Sequence, residues 1–149
     1  MKSGILFLLS FLIGIIGFSS CDDDNITPTV DTFKATLNGA SETPANASTA
    51  TGSATFTFNP VTNILSGTVT YTGLTVADAH IHKGAIGVAG NVVLPLGTSP
   101  FTSPIQFTSS PLTQAQITDL EAGLYYVNLH SVDFPDGEIR GQLLLQSNY

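Results

Sequence analysis

Apolar side chains recur at every second position through much of this chain. Between Thr51 and Phe58, Ala54, Phe56 and Phe58 point one way while Thr55 and Thr57 point the other, the period-two pattern of a half-buried strand. Asn59-Pro60-Val61-Thr62-Asn63 reads as a turn and Ile64–Tyr71 as the returning strand, so the two segments form a hairpin. Phe33–Leu37, Ala77–His82, Val92–Leu96 and Ile105–Thr108 read as further strands. Leu124–Ser131 and Glu138–Leu145 make a second pair, joined by a turn around Phe134-Pro135-Asp136-Gly137.

The pattern changes once. Ile117 and Leu120, with Leu112, form an apolar stripe at helical spacing. Thr113 is placed as an N-cap, with Gln116 three residues later completing a capping box, and Gly123 closes the segment. A single short helix near residues 113–122 among many short strands predicts an all-β domain. The expected architecture is a two-sheet Greek-key β-sandwich of immunoglobulin-like type, with a closed barrel as the alternative.

The amino terminus does not fit this pattern. Lys2 is the only charge before an apolar run from Ile5 to Phe18, which has the length of a signal-peptide core and is short for a membrane span. Phe18-Ser19-Ser20-Cys21 follows, and Cys21 is the only cysteine. This resembles a bacterial lipoprotein signal, in which the cysteine is acylated and becomes the first residue; an ordinary secretory signal is the alternative. Residues 1–20 are therefore read as a leader and residues 21–31, opened by Asp22-Asp23-Asp24, as an acidic disordered tether. Lipidation at Cys21 implies membrane attachment, expected at the outer membrane and facing outward. It also removes a free thiol that would be exposed to oxidation. With no second cysteine, the domain from 32 to 149 must be stable on its core alone.

Charge narrows the partners. Once Lys2 is set aside with the leader, eleven acidic residues face only Lys34, Lys83 and Arg140. There is no basic patch to neutralise phosphates, which argues against nucleic acid, and none to attract an anionic membrane surface.

All three histidines lie in two strand-like segments, Ala79-His80-Ile81-His82 and Val127-Asn128-Leu129-His130. His80 and His82 are two apart and share one face of their strand, while Ala79 and Ile81 take the other. His130 likewise projects opposite Val127 and Leu129. If the two strands are neighbours, three imidazoles converge in a way that suits copper or zinc. Glu138 or Asp133 would then supply an oxygen or orient a ring. The competing reading makes the histidines structural, tying a loop to the last hairpin.

Glu138 and Arg140 also share a face. They read either as an anion- or substrate-binding pair or as a cross-strand salt bridge or loop-locking network, with Asp78 or Asp133 as a carboxylate partner for Arg140 if it is buried. The run Gly84-Ala85-Ile86-Gly87-Val88-Ala89-Gly90 is not a phosphate loop, because no helix opens after it. It reads as a tight connection beside the histidines. No nucleophile–base constellation is present, so no catalysis is expected.

Several motifs fall together in one order. Phe33-Lys34-Ala35-Thr36-Leu37 with Glu42-Thr43-Pro44, then Ala79-His80-Ile81-His82-Lys83-Gly84, then Gly123-Leu124-Tyr125-Tyr126-Val127-Asn128-Leu129-His130, then Gly137-Glu138-Ile139-Arg140-Gly141-Gln142-Leu143 resemble the motifs of the CHRD (chordin) domain. The resemblance covers roughly residues 33–146. It implies a β-sandwich fold and an extracellular address, and it does not imply a ligand. The expected function is a lipid-anchored binding or structural module that meets an extracellular protein or polymer, with a contiguous apolar or aromatic surface patch including Tyr71, Tyr126 or Tyr149. The alternative is a copper- or zinc-binding protein using His80, His82 and His130. A hydrolase of envelope polymer is a third.

Overall fold

The computed structural model describes residues 29–147. The leader, Cys21, the tether up to residue 28, and Tyr149 lie outside the described residues. The chain forms β1 (Asp31–Asn38), β2 (Thr51–Asn59), β3 (Ile64–Thr72), β4 (Asp78–Lys83), β5 (Val92–Pro95), β6 (Ile105–Thr108), α1 (Gln114–Glu121), β7 (Tyr125–His130), β8 (Ile139–Gln142) and β9 (Leu144–Leu145). A 3-10 turn at Gly39–Ser41 follows β1. Asp31, assigned to the tether from sequence, already pairs with Phe58 in β1.

Among the described residues the fold is all-β with one short helix. Its sandwich-like layering comes from one continuous antiparallel sheet rather than two separate ones, with the order β5-β4-β7-β8-β1-β2-β3-β6 and β9 beside β1. The last strand explains the continuity. It pairs with β7 on one edge and with β1 on the other, at Asn38↔Arg140, Lys34↔Leu144 and Phe33↔Leu145. The strand expected to run unbroken to Leu145 is interrupted at Leu143, whose amide instead donates to the Tyr125 carbonyl. The order β8-β1-β2-β3 sets a late strand beside the first of three consecutive ones, a Greek-key relationship. The path ends at β5 and β6, so the closed-barrel alternative is not realised among the described residues. Pro95 lies in β5, and Pro104 and Pro111 flank β6, which limits further pairing at both edges.

Curling brings the apolar face inward. Phe33, Leu37, Phe56, Leu65, Val69, Ile81, Leu129 and Ile139 are fully buried in one cluster, which Ile117 and Leu120 of α1 close from the side. Each such side chain contributes roughly 1.5–3 kcal/mol of transfer free energy. The helix starts as its sequence requires: the Gln116 amide donates to Thr113 Oγ1, and the Thr113 amide donates to Gln116 Oε1. Gly123 takes a φ of +67° just past its end. The opposite face of β4, β7 and β8 is polar, and the loops between strands fold over it.

Candidate metal centre

Residues β4 and β7 lie side by side, with Asp78 opposite His130, His80 opposite Asn128 and His82 opposite Tyr126. Alternation then sorts the side chains. Ala79, Ile81, Val127 and Leu129 are fully buried in the core. Asp78, His80, His82, Tyr126, Asn128 and His130 share the other face. The three rings form a near-equilateral triangle, with centroid separations of 5.5 Å (His80–His82), 5.2 Å (His80–His130) and 5.7 Å (His82–His130). One nitrogen from each ring lies within 4.8 Å of the other two.

Each ring is held through its remaining nitrogen. His82 Nδ1 donates to the Gly90 carbonyl at 2.9 Å, and His130 Nδ1 donates to the Pro135 carbonyl at 3.0 Å. A carbonyl only accepts, so both rings carry their hydrogen on Nδ1 and present the Nε2 lone pair. His82 Nε2 is buried with no hydrogen-bond partner among the described residues. His80 Nε2 lies 3.1 Å from Asp78 Oδ1, leaving Nδ1 facing His130 Nε2 at 3.3 Å. Two nitrogens bound at about 2.0–2.1 Å to one tetrahedral ion are about 3.3–3.4 Å apart. The ring orientation and the free lone pairs are those of a histidine metal site braced by outer hydrogen bonds.

Burial lowers the pKa of His82 and His130 below the ordinary 6.5, opposed by the Gly90 and Pro135 carbonyls and reinforced by the neighbouring histidines. Both rings therefore stay neutral further into the acid range, and the neutral ring is the form that binds a metal ion.

The glycine loop is pinned over this face. Arg140, only 2% exposed, donates from Nη2 to the carbonyls of Ala85 and Val88, both at 3.0 Å, and from Nη1 to Thr43 Oγ1 at 3.3 Å. Its guanidinium stacks on Tyr126, which in turn stacks on His82 with ring centroids 5.1 Å apart. Gln142 donates to the carbonyls of Gly84 (2.9 Å) and Gly123 (2.7 Å). A Cβ at Gly90 would overlap the Lys83 carbonyl, so only glycine lets the loop return close enough to hold His82.

Two sequence expectations are corrected here. Arg140 pairs with neither Asp78 nor Asp133; backbone carbonyls, a hydroxyl and an aromatic face surround its charge instead. Neither Glu138 nor Asp133 joins the histidines. Glu138 accepts from the Ser48 hydroxyl at 2.7 Å, locking the 42–50 loop, and Asp133 is exposed in the turn after β7. Glu138 and Arg140 each bond to a loop, and they form no pair with each other.

A family model for the CHRD domain matches residues 33–143. The chain belongs to the CHRD domain family. No curated protein and no solved structure matches it. The matched span of this CHRD domain holds all three histidines, both carbonyls that orient them and Arg140, and it begins after Cys21.

Tyr126, expected from sequence in an exposed aromatic patch, is instead only 2% exposed and lies under the glycine loop, and Asn128 and Glu42 were given no role from sequence. Tyr126 accepts from the Gly90 amide at 3.0 Å and fixes the loop from below. Asn128 and Glu42 pack together beneath Gly137, whose φ of +135° and close approach require glycine. Burial pushes the Glu42 carboxyl up to about 7, against the opposing pull of the Thr43 amide, Arg140 and Asn128. The parity of Tyr126 and Asn128 with His130 was the available signal; Glu42 carried only its place in the Glu42-Thr43-Pro44 motif.

Proposed function

We propose that this CHRD domain is a binding module for one transition-metal ion, copper or zinc, carried at the bacterial cell envelope by a lipid on Cys21. One observation carries the metal reading: three imidazole nitrogens lie within 4.8 Å of one another while the other nitrogen of each ring is held. Three neutral nitrogen donors without sulfur suit copper(II) and zinc(II), with copper(II) bound more tightly. The envelope address rests on the leader from Lys2 to Phe18 and the lone cysteine that follows it. Two acyl chains or more give stable anchoring.

The test is metal analysis of the mature chain, purified without a histidine tag, followed by titration with Cu²⁺ and Zn²⁺. The expected result is one ion per chain, lost in His80→Ala and His82→Ala. Stoichiometry unchanged in both variants would end this reading. Incorporation of labelled palmitate, abolished in Cys21→Ser, tests the anchor.

A structural role is the second reading. It is favoured by the bonds from His82 and His130 to loop carbonyls, which tie the glycine loop and the last turn to the sheet with or without an ion.

A further inference from the structure

Resting on the metal reading above, we propose that the bound ion keeps one coordination position open and takes a small monodentate anion there. The donor count leads to this. Among the described residues the cluster contains three histidines and no carboxylate or thiol. Asp78, the nearest acid, is turned to His80 Nε2, the nitrogen facing away from the cluster. Glu138 is taken by Ser48, and the Asn128 amide packs against Glu42 and Gly137. Structural zinc sites close with four protein ligands, whereas three-ligand sites complete their shell with water or an exogenous donor.

Charge selects the kind of donor. Three neutral imidazoles leave the full charge of a divalent ion uncompensated by its ligands. A second cation, Arg140, lies on this face one aromatic ring away from His82; among the described residues it has no carboxylate salt bridge, and the buried carboxyl that acts on it, Glu42, is itself pushed up to about 7 by burial. Among the described residues the only ion-paired acid beside the histidines is Asp78, whose side chain is 55% exposed and so screened by water. An anion at the fourth position relieves this imbalance, and a neutral ligand does not. Access is available at one ring: the His80 side chain is 17% exposed, while His82 and His130 are buried.

The probe is azide. Mature protein loaded with one equivalent of Cu²⁺ is titrated with sodium azide while absorption and electron paramagnetic resonance are recorded. The expected result is a new near-ultraviolet charge-transfer band and altered copper hyperfine splitting, both saturating at one azide per copper. The same titration of His82→Ala, which holds no stoichiometric copper, gives neither change. Copper bound at one per chain with spectra unmoved by azide overturns the open position and leaves the metal reading standing. Failure to bind copper at all overturns both. A copper spectrum that depends on protein concentration before azide is added identifies a donor from a second copy of the chain, and also overturns the proposal.

Discussion

The guanidinium of Arg140 lies over Tyr126, its central carbon 3.4 Å from the ring centre. This places a buried cation between the sheet and the glycine loop, with two backbone carbonyls and a hydroxyl completing its shell. Arg140→Lys keeps the charge but cannot reach Ala85, Val88 and Thr43 together. Each lost charge-assisted bond costs about 1.5–3 kcal/mol. The expected outcome is a lower denaturant midpoint with an unchanged slope. A midpoint equal to wild type would mean that the loop is held by something else.

The three histidines are not equivalent in the metal-free protein. His82 is buried, bonded to the Gly90 carbonyl and stacked on Tyr126, whereas His80 is partly exposed and meets only side chains, Asp78 and His130. In the presence of a chelator, His82→Ala should destabilise the fold by about 1–3 kcal/mol and His80→Ala by less than about 1 kcal/mol. Both should abolish metal binding. Equal destabilisation, with no change in metal content, would favour the structural reading.

Gly90→Ala should weaken metal binding without touching a ligand. The new Cβ meets the Lys83 carbonyl, so the loop must move and release His82 Nδ1. Loss of such an orienting partner costs about 10–100-fold in affinity. Competition with a chromogenic chelator measures this, and wild-type affinity in the variant would show that the Gly90 carbonyl does not orient the ring.

Glu42 sets part of the pH dependence of stability. Its carboxyl rises from 4.5 to about 7 on folding, chiefly through burial. The folded state therefore holds a proton that the unfolded state releases. The contribution is fully present below about pH 4.5 and is lost as pH rises through 7. His82 and His130 work the other way: their lowered values cost stability as pH falls below 6.5. Glu42→Gln keeps a neutral side chain throughout and leaves the histidines unchanged. Its stability relative to wild type should climb from pH 4.5 to 7 and level off, by an amount on the order of 3 kcal/mol. A flat difference across that range would mean that the carboxyl titrates normally.

Legibility differed from residue to residue. Period-two alternation assigned Phe56 and Ile81 to the core and turned His80, His82 and His130 to one side, because a strand fixes parity without reference to its neighbours. The Thr113–Gln116 box was equally readable, since its bonds span three residues. Arg140 was not. Its partners are the carbonyls of Ala85 and Val88, and every residue has a carbonyl, so no side-chain pattern marks the two that serve. Glu42 was missed for a related reason: its neighbours Asn128 and Gly137 are distant in the chain.

The sequence by itself determined the strands and their inward and outward faces, the capped helix, the histidine spacing and the family, all of which depend on short-range sterics or motif order. Only the tertiary structure decided that β4 lies against β7, that the last strand joins both halves into one curled sheet, and that Gly90 and Pro135 turn two imidazoles toward a third. Those choices rest on pairing between segments some fifty residues apart in the chain. The register there is selected by the whole buried face at once, and no local pattern encodes it.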